Sequence, residues 1–308
     1  MSHPLQMTAD ELLNEAIMST PIIIVEGNDD ISIYENIIYS LDMDIEVYAS
    51  ENLKISDNTA GCIGVKNSLK AIKLYSNGID YKKYILGIID RDASVFIGDN
   101  NNIEGLFVLK YYSIESHYIT KEIIPFIINH VTKASLKSID DDISNIIFDK
   151  ILIKLNDLYY LSLEALKNAC ESEYESLFRY EPDSINGIRK NSNFEENRIK
   201  LKEKLEELDS FAQSFNLSKN LDSLLLIVKG KWILEDFIFE LNNELNNIST
   251  LCKNNHIRQC QYCINETYEK CLYKMNSRNE IKNIKRLILN NVNISELDYI
   301  RDRIQELT

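Results

Sequence analysis

Two kinds of hydrophobic spacing divide this chain. Up to about residue 120, short apolar runs alternate with helical stripes; beyond about residue 137 the stripes continue almost alone. Residues 21–26, PIIIVE, form a β-branched run of the kind a buried parallel strand requires, and the run stops at Gly27. A helix is predicted to start near Asp29–Asp30, whose charges suit a first turn. Ile31, Tyr34, Ile37, Ile38 and Leu41 then recur at helical spacing over residues 31–42. Ile45–Ala49 reads as a second strand, and Gly61–Gly64 leads into a helix over VKNSLKAIKLYS. Tyr84–Ile89 is a third apolar run, ending at Asp90; residues 106–112, LFVLKYY, predict a fourth strand with a short helix from Ser113. This alternation implies an α/β fold, a parallel sheet flanked by helices, within a first domain over residues 1–130.

The remainder, 131–308, reads as a mostly α-helical region suited to interaction, dimerisation or substrate binding. Residues 195–211 carry i,i+4 acid–base pairs along one surface helix. Residues 294–307 repeat that pattern, with Ser295 as the expected cap. Leu224–Val228 is the one run here that reads as a strand. No internal repeat is present.

Composition adds constraints. The 308 residues include only 9 Gly and 4 Pro, so long helices and short loops are expected. No apolar run approaches the ~18 residues of a membrane span, and the first residues carry acids without a basic leader segment, which predicts a cytoplasmic protein. Net charge is −14, which argues against a broad basic face coating a duplex but leaves room for a local ring of Lys and Arg. The six cysteines are expected to be reduced thiols.

The chemistry concentrates at strand ends. Glu26 closes the first run, and Asp90 and Asp92 close the third in GIIDRDAS. In open α/β sheets ligands bind beyond the carboxyl ends of the strands. If those strands are neighbours, three carboxylates converge there, with Asp30 joining from the first helical turn. Clustered acids repel one another unless a cation is present, and oxygen donors suit Mg²⁺ or Mn²⁺, one ion or two. Phosphodiester cleavage is the chemistry such a site serves.

VEGNDD (25–30) followed by IIDRDAS (89–94) resembles the Toprim domain, whose signature is a Glu ending the first strand and a later DxD. The acid at Asp30 resembles the OLD-like nuclease branch, and YYSIESHYI (111–119) resembles a further segment of one OLD-like subfamily, with Glu115 as its acid. The resemblance covers roughly residues 20–125. It implies metal binding or acid–base roles for Glu26, Asp90 and Asp92, with Asp30 and Glu115 completing the ion sites. Within that branch the chain is most similar to the Toprim effectors of PARIS anti-phage systems. That likeness implies an ABC-type ATPase sensor as partner, tRNA as target, and restraint of the nuclease until a phage protein is sensed. Two other readings compete: a non-catalytic Toprim-fold adaptor, and a DNA-cleaving OLD-type nuclease. A homodimer through the helical half is a further expectation.

Weaker signals surround these. GCIGVK (61–66) places Lys66 beside a helix start that is able to hold a phosphate, although the P-loop spacing is absent. Lys229 and Lys231 flank Gly230 in IVKGKW, a turn in which the backbone approaches a phosphate. Lys66 and Lys231 are therefore catalytic candidates that steady developing charge. His117 reads as structural. Cys252, His256, Cys260 and Cys263, with Cys271 nearby, are legitimate zinc ligands, but strung along one helix at i, i+4 and i+8 at most two or three of them meet one ion unless the chain bends; core thiols are expected and zinc is not.

Overall fold

The computed structural model describes residues 7–55, 59–99, 101–276 and 281–307. It divides into two compact units, one of residues 1–113 with 295–308, the other of 114–294. The expected boundary after residue 130 therefore shifts. Residues 114–130 belong with the helices, and the last helix, Asp298–Gln305, belongs with the sheet. The last helix buries Ile300 and Ile304, Tyr299 lies near Phe107 and its hydroxyl accepts from Lys110 N–H at 2.9 Å, and Glu296 pairs with Lys110.

The first unit holds β1 (Ile22–Val25), β2 (Glu46–Ala49), β3 (Ile85–Ile89) and β4 (Leu106–Val108), all parallel in the order β2-β1-β3-β4. The two central strands are buried throughout, and the two edge strands are not, which accounts for the IIIV and ILGII runs. The fourth strand is shorter than 106–112 because pairing stops soon after Val108; Leu109 N–H makes the last bond, to Ile89 O. Helices α1 (Ala9–Met18) and α3 (Gly61–Tyr75) share a core with Ile22, Ile24, Ile85 and Ile89, alternate positions on one sheet face. Helix α2 (Asn28–Ser40) packs beside β2 and the closing helix.

The start of α3 is seated unusually tightly. The helix begins at Gly61 itself rather than after Gly64. A Cβ on Gly64 would lie 2.1 Å from Thr59 O and 2.6 Å from Ser50 Oγ. Gly→Ala inside a helix ordinarily gains up to about 1 kcal/mol. Here the clash wins, and Gly64→Ala is expected to lose about 1–3 kcal/mol in denaturant unfolding. A gain would show that α3 does not need this close approach.

The second unit is helical. Leu221–Ile227 is a helix, correcting the strand expected over 224–228; Asn220 Oδ1 caps it by accepting from Ser223 N–H at 2.9 Å, and its leucines are not β-branched. The expected helix over 195–211 is two, Phe194–Glu203 and Leu205–Ser214, parted at Lys204. Gly230 is no turn but the first residue of the 24-residue helix Gly230–Lys253. Ser295 opens a 3-10 turn rather than capping the last helix, which Leu297 precedes. Among the described residues no helix is long and apolar enough to cross a membrane.

Candidate functional site

Because β2 pairs on one side of β1 and β3 on the other, the chain reverses its winding between β1 and β3. A crevice opens at such a point beyond the strand ends. Glu26 and Asp90 are the first residues past the two strands that flank it. Asp90 N–H donates to Glu26 Oε1 at 2.9 Å, so the two ends are joined directly. The Glu26 backbone is pinned as well. Its carbonyl accepts from Ser50 Oγ at 3.0 Å and from Gly61 N–H at 3.3 Å.

Gly61 occupies the left-handed region at φ 69°, which favours glycine, and this bend aims the start of α3 at Glu26. The Cys62 N–H, one residue on, also acts on the Glu26 carboxylate. Two donors and a helix N-terminus thus favour the charged form. Burial opposes them and dominates, and the neighbouring Asp92 and Asp30 charges add to it, so Glu26 is pushed up to about 7.

Asp92 stands at φ 36°, a backbone region an L-residue visits at a cost. Local hydrogen bonds hold it there: its N–H donates to Tyr112 O at 2.9 Å, and its Oδ1 accepts from Ser94 N–H at 2.5 Å. Asp30 Oδ2 accepts from Gly27 N–H at 3.1 Å, closing the first turn of α2. Glu26 is thus bonded to the Asp90 backbone, and the charges of Asp92 and Asp30 act on it. Among the described residues, however, these carboxylates do not draw to mutual ligand spacing; the group of metal-ligating side chains that closes to within 4.8 Å is made of cysteines.

Of the other residues described at this end, the sequence singles out Lys66 alone as a candidate. Burial, followed by the charges of Asp92, Asp90 and Glu26, pushes the Tyr112 hydroxyl up. Cys62 is raised by burial and then by Glu26 and Asp92. Arg91, between the two aspartates, lies over the Phe96 ring at 5.6 Å, and its buried Nε has no hydrogen-bond partner. Glu51 Oε1 accepts from Asn28 Nδ2, tying the loop after β2 to the start of α2. Lys66 is buried and pairs with Asp99 at 2.7 Å, so its charge is already partly matched.

Glu115 and Lys231 belong to the second unit, where both line one pocket with Asp183, Glu235, Lys282 and Lys285. Lys231 lies 4.0 Å from Asp183 Oδ2. Lys229 is tied to Asp183 at 2.7 Å and to the Tyr180 carbonyl, so it holds a helix start in place rather than offering a free charge. His117 is fully buried with Nδ1 3.2 Å from Ile114 O, a structural position.

No protein-family model matches the chain, and no curated protein matches its sequence. The Toprim likeness therefore rests on the sequence motifs alone.

Proposed function

We propose that the chain is a Mg²⁺- or Mn²⁺-dependent endonuclease of the Toprim type, acting on RNA, with tRNA as the target class. The observation that carries this reading is the bond from Asp90 N–H to Glu26, which joins two acids at the winding reversal of a parallel sheet. The donor set fits a hard cation: carboxylates alone, one of them buried against its own charge. Asp90 and Asp92 would be its principal ligands, with Asp30 and Glu26 beside them. A bound cation would neutralise charge on the reacting phosphate and activate a water.

The chain's own groups supply the rest. Glu26, raised to about 7, is poised to hold or release a proton near neutral pH. On the second unit, Lys231, Lys282 and Lys285 line one pocket together with Glu115, Asp183 and Glu235, so lysine donors and acids alternate there. In this reading an ABC-type ATPase restrains the nuclease until infection is sensed, and the acids remain inactive until then.

The test is to sequence RNA and DNA ends in cells expressing the chain, with its ATPase and trigger, as wild type and as Asp90→Asn. Discrete tRNA ends confined to wild type are expected. Identical end profiles would overturn the reading, and ends in DNA alone would replace RNA by DNA. A second reading, a non-catalytic docking module, is favoured by one observation: Glu26, Asp30 and Asp92 each already accept a backbone N–H. It expects Glu26→Ala to keep full biological activity.

A further inference from the structure

The helix Gly230–Lys253 ends one residue after Cys252, so the cysteines are not strung along one helix. The chain reverses through Asn255, at φ 58°, and His256 N–H bonds back to Leu251 O at 2.9 Å. It returns far enough for Cys260 N–H to donate to Cys252 Sγ at 3.3 Å. Cys260 precedes the short helix Gln261–Ile264, which carries Cys263. A second left-handed residue, Glu266 at φ 56°, turns the chain again, and a 3-10 turn over Tyr268–Lys270 delivers Cys271.

The four Sγ atoms all lie within 4.8 Å of one another, and Cys260 and Cys271 are 3.9 Å apart. A tetrahedral ion with bonds of about 2.3 Å to sulfur sets its ligands about 3.8 Å from each other. A disulfide needs about 2.05 Å. Four of the six cysteines are thus gathered at one buried point, while Cys62 and Cys170 are partly exposed elsewhere. Packing of apolar thiols gives no reason for that convergence.

Backbone donors surround the cluster. Besides the Cys260 N–H on Cys252, the N–H groups of Leu272, Cys263 and Tyr262 act on the Cys260 sulfur. Such donors favour thiolates, the form that binds metal. The sequence contains the Cys260-x-x-Cys263 spacing of a zinc knuckle, completed by Cys252 and Cys271, each eight residues from its nearer neighbour. His256 is exposed and stands outside the set.

We propose that Cys252, Cys260, Cys263 and Cys271 bind one structural zinc ion. Four soft donors with no position left open select zinc over Mg²⁺ or Mn²⁺ and suit a structural role. Binding releases four thiol protons and forms four Zn–S bonds, with no change of oxidation state. The ion clamps the end of the long helix to a segment that is itself stitched to the helices before it. Leu272 O accepts from Lys133 N–H at 3.0 Å, Asn276 N–H donates to Val131 O at 2.9 Å, and the Tyr273 hydroxyl donates to Ser138 O at 2.7 Å. This site is independent of the carboxylates and of the nuclease reading.

The experiment is elemental analysis of the full chain, purified without a histidine tag, followed by exchange of the metal for Co²⁺. Stoichiometric zinc is expected, and cobalt should give the intense thiolate charge-transfer and tetrahedral d–d bands of an all-sulfur site. Cys263→Ser should lose the metal, whereas Cys170→Ser and His256→Ala should keep it. If Cys263→Ser does not fold, the wild-type metal content and cobalt spectrum decide. Zinc far below stoichiometry, iron in its place, a Cys260–Cys271 disulfide in a non-reducing peptide map, or a cobalt spectrum of oxygen or nitrogen ligands would each overturn the proposal.

Discussion

Glu26→Gln is expected to abolish cleavage and, at the same time, to make the chain more stable above neutral pH. The two effects have one cause. Glu26 ordinarily titrates near 4.5 and in the fold titrates near 7, raised first by burial and then by Asp92 and Asp30. Between those two values the folded chain retains a proton that the unfolded chain has released. Stability therefore falls as pH rises from about 4.5 to about 7 and stays reduced above that. The difference corresponds to at most about 3 kcal/mol, less in practice because the side chain keeps some access to solvent.

Gln keeps the acceptor for Asp90 N–H and carries no charge to desolvate. Without added Mg²⁺ or Mn²⁺, the variant and the wild type should melt alike at pH 5, and the variant should melt higher at pH 8. Added Mn²⁺ should flatten the wild-type pH slope alone. Loss of cleavage should be at least about 10³-fold, the scale of a missing acid–base group. Equal pH slopes in the two proteins would mean that the carboxylate does not pay for its burial, and undiminished cleavage would remove Glu26 from the chemistry.

This end of the molecule was legible because its determinants are local. A strand buried on both faces must be a continuous apolar run, so IIIV and ILGII mark the two central strands and, by their ends, Glu26 and Asp90. What was not legible depends on the chain doubling back. The cysteines looked strung out because the helix was extended through residue 263; the structure ends it at Lys253. The two left-handed residues that permit the reversal are Asn255 and Glu266, and only the first is of a type that favours that conformation. The return of residues 295–308 to the sheet was hidden for a similar reason. The buried Leu297, Ile300 and Ile304 mark an amphipathic segment but do not say which surface it covers; Tyr299 and Glu296, both bonded to Lys110, fix that choice.

Glu164→Ala should be the most destabilising single substitution of an acid in the second unit, costing about 3–5 kcal/mol. Glu164 lies within the helix Leu158–Cys170 with a fully buried side chain. One oxygen accepts from the Tyr174 hydroxyl at 2.6 Å; the other accepts from Leu177 N–H at 2.7 Å and pairs with Lys204 at 3.1 Å. Lys204 is the residue at which the two helices over 194–214 part, and it also donates to Glu175 O at 2.9 Å and lies over the Tyr174 ring at 4.3 Å.

The carboxylate therefore holds a loop, a hydroxyl and a helix break at one point. Removing it strands a buried N–H and a hydroxyl in addition to leaving the ammonium without its partner. Lys204→Met alone leaves the opposite problem, a buried carboxylate with two neutral donors. Replacing both, Glu164→Met with Lys204→Met, removes the charges together, so the double variant should lose less stability than the sum of Glu164→Met and Lys204→Met made singly. Urea unfolding of the four proteins measures that coupling directly. Additive losses would show that the pair acts as two independent groups, and that Lys204 sits at the helix break for its backbone alone.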